Sequence, residues 1–98
     1  DMAAYARKMF GMYGGKEEWV RIECDNSFAG VMIDRFGKDV SMIRLDDKRF
    51  MVNVEVAVSR QFLAWIMGLG EGVTLAGPDN VVEMMNAEID RLIKQYKK

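Results

Sequence analysis

Phe50-Met51-Val52-Asn53-Val54-Glu55-Val56-Ala57-Val58 is the stretch that decides the fold. Phe50, Val52, Val54 and Val56 fall on one side of an extended chain, and Met51, Asn53 and Glu55 on the other. A period of two, rich in β-branched residues, predicts a strand with one buried face. Working back along the chain, Asp46-Asp47-Lys48-Arg49 is a polar hairpin connection and Val40–Leu45 a partner strand. Asp is favoured there for turn geometry, so Asp46 and Asp47 are read as turn residues and not as a metal or acid–base pair. Working forward, Ser59 is placed to cap a short helix, Arg60 to Leu69, which buries Phe62, Leu63, Trp65, Ile66 and Leu69. Gly68, Gly70 and Gly72 end it, and Val73–Ala76 is a further short strand.

The N-terminal half has the same grammar. Lys16 to Cys24 alternates, with Val20, Ile22 and Cys24 on one side and Trp19, Arg21 and Glu23 on the other. Asp25, Asn26 and Ser27 form a capping cluster before a helix, Phe28–Phe36, whose Phe28, Val31, Met32 and Phe36 share a face. Gly37 stands where a C-terminal cap belongs. Residues 1–13 read as a leading helix with an apolar stripe of Met2, Tyr5, Ala6, Met9 and Phe10, ended by Gly11, Gly14 and Gly15. Gly77-Pro78 turns the chain into a last helix, Asp79 to about Tyr96, because proline is tolerated at the first helical turn.

The expected class is α+β: a ferredoxin-like βαββαβ antiparallel sheet with added N- and C-terminal helices. Two helices then cover one sheet face. The other face carries Trp19, Ile43, Leu45 and Met51 among Arg21, Asn53 and Glu55, too apolar for open water, so a terminal helix, another domain or a second copy should cover part of it. The last helix shows a stripe of Val82, Met85, Ile89, Leu92, Ile93 and Tyr96, expected to pack within the chain.

Composition narrows the function. Fourteen basic and 15 acidic residues leave a net charge of −1, which does not hold a chain on duplex DNA by itself. Histidine is absent, so the commonest general base and metal ligand are missing. The single cysteine, Cys24, has no internal disulfide partner and fits a reducing cytoplasm. No apolar run reaches the ~18–20 residues of a membrane span. The expectation is a cytoplasmic protein without catalysis, metal, cofactor or membrane contact. The nine methionines mostly fall on apolar helix faces and read as core filling. Arg44, Lys48 and Arg49 at the hairpin, with Arg21 on the open face, are the candidate contacts for a phosphate or carboxylate.

Three segments in order carry a family resemblance: Val31-Met32-Ile33-Asp34-Arg35-Phe36-Gly37, then Phe50 to Val56, then Ser59-Arg60-Gln61-Phe62-Leu63-Ala64-Trp65 with Gly70 and Pro78. The pattern resembles the C-terminal extension (WCX) domain of bacterial WYL-domain transcriptional regulators. The start of the chain, Tyr5 to Gly15, is similar to the segment that joins the WYL domain to that extension. The resemblance implies residues 1–15 as a linker helix from an upstream WYL domain and residues 16–98 as a ferredoxin-like extension. It further implies a role in transcription regulation, through effector sensing or homodimerisation, with a winged helix-turn-helix and a WYL domain in the same polypeptide. Duplex DNA is then met only through the upstream helix-turn-helix, and the effector of the intact protein is a single-stranded nucleic acid or nucleotide. Trp19 and Trp65 are not followed by Tyr-Leu, so the WYL domain's basic pocket has no counterpart here. Asp34, Arg35, Phe36, Gly37, Ser59, Phe62, Trp65, Gly70 and Pro78 are read as structural: Phe62 and Trp65 anchor the short helix, Arg35 suits a helix C-terminus, and Asp34 is positioned to accept a neighbour's hydrogen bond. The alternative is a stand-alone ferredoxin-like ligand-binding module of the amino-acid-sensing kind.

Overall fold

A computed structural model describes residues 14–97. The elements run β1 (Lys16–Asp25), a 3-10 turn (Asn26–Phe28), α1 (Ala29–Phe36), β2 (Ser41–Arg44), β3 (Arg49–Val58), α2 (Arg60–Gly68), β4 (Val73–Gly77) and α3 (Asp79–Tyr96). The class is α+β. One four-stranded sheet has the order β2-β3-β1-β4, with every neighbouring pair antiparallel. The leading helix expected over residues 1–13 lies outside the described residues.

The alternation read from the sequence is the alternation the sheet uses. Val20, Ile22 and Cys24 on β1 lie opposite Val54, Val52 and Phe50 on β3, and all six are buried. α1 and α2 close this face with Met32, Phe36, Phe62, Leu63 and Ile66. Three local readings need correction. Asp25-Asn26-Ser27 does not cap α1: no side-chain oxygen from this cluster accepts a helix N–H. Instead Asn26 Nδ2 donates to the Asp47 carbonyl at 2.9 Å and the Asn26 N–H to the Lys48 carbonyl at 2.9 Å, which ties this turn to the β2–β3 hairpin. Val31 is exposed, because Phe28 and Ala29 take the inward positions beside Met32. Asp34 is exposed and accepts no hydrogen bond among the described residues.

The expectations at the other helix ends hold. Ser59 Oγ accepts the Phe62 N–H at 3.2 Å, satisfying one of the first-turn donors. Gly37 ends α1 at φ 95°, a backbone region that favours glycine. Pro78, preceded by a cis peptide bond from Gly77, occupies the N-cap of α3.

α3 is where the sequence expectation fails most. Val81 is fully buried and Met85 packs against the core, but Ile89 and Tyr96 of the same stripe are 42% and 73% exposed. The described residues enclose the helix most fully at its start, and Leu92 further along is half-buried. Asn80 Nδ2 donates to Glu18 Oε1 at 2.7 Å, and Arg60 pairs with Glu88 at 2.9 Å. Glu18 shares its strand face with Val20, so α3 lies on the helix-covered side of the sheet. It leaves the opposite face uncovered by any described element.

Candidate ligand-facing surface

The uncovered face is built from side chains that the register places in rows. Across β3 and β1, Asn53 stands opposite Arg21, Met51 opposite Glu23, and Glu55 opposite Trp19. Ile43 on β2 extends the Met51 row to the sheet edge. Trp19 is 58% exposed and Ile43 56%, with Leu45 also open. An aromatic and several aliphatic side chains held on a rigid sheet, with no described element over them, form a surface suited to contact with another molecule.

Arg21 is positioned by a feature that periodicity does not reveal. β1 and β4 pair with a register shift: Arg21 faces Gly77 while Ile22 faces Leu75, so Ala76 is the extra residue of a bulge. The bulge brings Gly77 beneath the Arg21 side chain. A Cβ on Gly77 would run into the Arg21 guanidinium, so glycine is what lets that group lie flat on the sheet. Arg21 is exposed and makes no hydrogen bond or ion pair with another described residue. A guanidinium in that state keeps its planar fork of donors available for a carboxylate or phosphate.

The hairpin basic residues are in a different situation. Arg44 pairs with Asp47. Arg49 pairs with Asp46 at 3.2 Å and with Glu23 of the neighbouring strand at 3.3 Å. Asp46 Oδ1 also accepts the backbone N–H groups of Lys48 and Arg49 at 2.8 and 2.9 Å. Those backbone donors, followed by the Arg49 side chain, hold the Asp46 carboxyl below its ordinary pKa. The turn reading of Asp46 thus stands. Arg44, Lys48 and Arg49 face Asp46, Asp47 and Glu23, so the hairpin is charge-balanced. Of the four candidate contacts, only Lys48 and Arg21 have side chains without a polar partner among the described residues. The structure separates them, with Lys48 at the hairpin tip and Arg21 over β4.

The remaining motif residues gather elsewhere. Phe36 meets Trp65 edge-on, with ring centroids 5.6 Å apart and planes at 89°. Phe62 lies 6.3 Å from Trp65, and the Arg35 guanidinium sits 5.0 Å from the Trp65 ring centroid. Two stretches that are distant in sequence therefore form one aromatic–cation cluster joining the end of α1 to α2. Gly70, at φ 87°, turns the chain after α2. These residues build the fold and lie away from the uncovered face.

Cys24 offers no nucleophile. Burial first, then the neighbouring Asp25 and Glu23 charges, push its thiol up to about 11. Native protein at neutral pH should therefore leave Cys24 unmodified by a thiol-reactive disulfide reagent, whereas urea-unfolded protein reacts at once. Rapid native reaction would show that the β1 face opens far more readily than its packing implies. Among the described residues, no group of three or more Cys, Asp or Glu is arranged to hold a metal ion. No helix among them is long and apolar enough to cross a membrane.

No curated protein matches the chain. The family profile for the WCX domain does, over residues 16–93, a span that begins with β1 and reaches the last turns of α3. It thus takes in the bulge, the uncovered face and the aromatic–cation cluster. On that match, the chain belongs to the WCX domain family.

Proposed function

We propose that this chain is the regulatory C-terminal domain of a bacterial transcription factor, with winged helix-turn-helix and WYL domains preceding it in the same polypeptide. It senses an effector and supports homodimerisation in the cytoplasm, and it carries out no catalysis. The WCX match supports the regulatory role. The ferredoxin-like assignment belongs to the same reading, and the antiparallel order β2-β3-β1-β4 supports it. The absence of histidine and the raised pKa of Cys24 support a non-catalytic role.

The observation that carries the reading is the Arg21 guanidinium, without a polar partner among the described residues and laid over Gly77 of β4, on the same sheet face as exposed Trp19 and half-buried Asn53. Arg21 supplies charge-assisted hydrogen bonds to a phosphate, Asn53 an amide, and Trp19 a ring against which a base can stack. A charge-balanced hairpin contributes less than its basic residues alone would. An effector of nucleotide chemistry fits this set.

Trp19 also reports the event. Short single-stranded DNA added to the chain should change Trp19 fluorescence with weak affinity that strengthens as salt is lowered. The Trp19→Phe variant should be silent. Arg21→Ala should reduce the slope of log K against log salt by about 0.7, the loss of one phosphate contact on a single strand. Quenching by free amino acids instead of oligonucleotide would favour the amino-acid-sensing alternative. A response to neither would remove this face as the effector site.

A further inference from the structure

β3 is longer than the strand that borders it. β2 pairs with it only from Phe50 to Asn53, whereas β1 pairs with it along its whole length. Val54 to Val58 therefore have β1 on one side and no described strand on the other. A free edge of this kind turns unpaired N–H and C=O groups outward and is usually guarded by charged side chains. This one is apolar: Val54, Val56, Ala57 and Val58 are all buried. The three valines share the helix-covered face with Val52 and are enclosed there. Ala57 differs. Alternation turns it to the face that no described element crosses, yet it is only 2% exposed. Its cross-strand partner Glu17 and the diagonal Trp19 both stand open to solvent beside it.

We propose that residues 1–13 of this chain seat along the Val54–Val58 edge and cover Ala57. These residues lie outside the described ones, but their point of arrival is set. Lys16 pairs with Val58, and Gly15 is so close to the Val58 carbonyl that a Cβ would not fit. The preceding chain thus enters at the foot of the free edge. Gly14 and Gly15 have φ of 83° and 97°, a conformation that lets the chain reverse there and run back beside β3. The edge is about 14 Å long, and a helix over residues 1–13 would be about 20 Å, enough to span it. Its stripe of Met2, Tyr5, Ala6, Met9 and Phe10 suits an apolar edge. Arg7 and Lys8 flank that stripe on opposite sides, so one of them overlooks the open face whichever way the helix points. That face carries Glu17 and Glu55 next to Ala57, opposite in sign. The tether through Gly14 favours the chain's own segment over that of a second copy. The strand that holds the segment also presents Asn53 and Glu55 to the effector face, so effector and upstream connector share β3. This regulatory consequence rests on the proposed function, whereas the docking does not.

Paramagnetic broadening in the whole chain tests the docking. Ala4→Cys places a thiol away from the stripe, and Cys24 stays unlabelled because it is buried. A nitroxide at position 4 should broaden the amide signals of Val54 to Val58 and spare Thr74 on β4, at the far edge of the sheet. Adding Met9→Glu with Phe10→Glu should abolish the broadening while the domain stays folded. Hydrogen exchange at the outward amides of Val54 to Val58 should then quicken at least about tenfold. No broadening along β3, or broadening that survives both glutamates, overturns the docking and leaves the proposed function standing. An isotope-labelled chain mixed with a separate nitroxide-bearing chain should show no broadening. Broadening in that mixture would give the edge to a second copy's segment and overturn docking within the chain.

Discussion

Phe62→Ala is expected to lower the free energy of unfolding by about 3–5 kcal/mol. Phe62 is fully enclosed, and it stands in the first turn of α2, where Ser59 Oγ accepts its N–H. Truncating the ring removes buried apolar surface and leaves a void beneath Trp65, which stands 6.3 Å away between Phe62 and the Arg35–Phe36 end of α1. Domains of this size are stable by only about 5–15 kcal/mol, so the variant should be partly unfolded near physiological temperature. Urea titration followed by circular dichroism checks the figure. Met67→Ala, on the exposed side of the same helix, should cost less than about 1 kcal/mol. Equal effects at the two positions would mean that α2 is not docked through Phe62.

Gly15→Ala is expected to cost about 2 kcal/mol or more, by a different mechanism. Gly15 has φ 97°, which an L side chain adopts only with strain of about 1–3 kcal/mol. A Cβ there would also run into the Val58 carbonyl, at the end of the strand that pairs with β1. A backbone carbonyl cannot swing aside as a side-chain tip does, so crowding adds to strain. Gly14 is the internal control. Its φ is 83° but nothing lies within reach of a Cβ, so Gly14→Ala should show the strain without the crowding. The same denaturation experiment separates the two, and a Gly15→Ala cost no greater than that of Gly14→Ala would mean that β1 and β3 do not close up at this corner.

What could be read without coordinates depended on how local its cause was. The strand faces were legible because burial on one side of a sheet forces a period of two, and Val52, Val54 and Val56 display it without interruption. The Ser59 cap was legible because its donor is only three residues away. The Asn26 turn was not, since its amide is recruited by Asp47 across 21 residues of chain. Periodicity shows the apolar arc of α3 but not how much of it the domain covers, so it places Ile89 and Tyr96 inside, where the structure leaves them exposed. At the candidate site, sequence proximity gathered Arg44, Lys48 and Arg49 but did not bring in Glu23, which neutralises Arg49 only through the β1–β3 register. Strand alternation alone puts Arg21 on the open face. The bulge at Ala76 that lays its guanidinium on Gly77 depends on β1–β4 pairing and has no signature in either strand alone.

On the proposed reading, this domain controls a linked DNA-binding activity through the sheet face that no described element covers. The most direct measurement is a reporter gene driven by the intact regulator's own promoter, compared between wild type and Arg21→Ala under conditions that change its expression. Arg21 is exposed and unpaired among the described residues, so the variant should fold and accumulate normally. The predicted result is a reporter fixed at one level, with operator binding by the purified regulator unchanged. A full wild-type response from Arg21→Ala, and equally from Arg21→Ala combined with Trp19→Ala, would contradict the account.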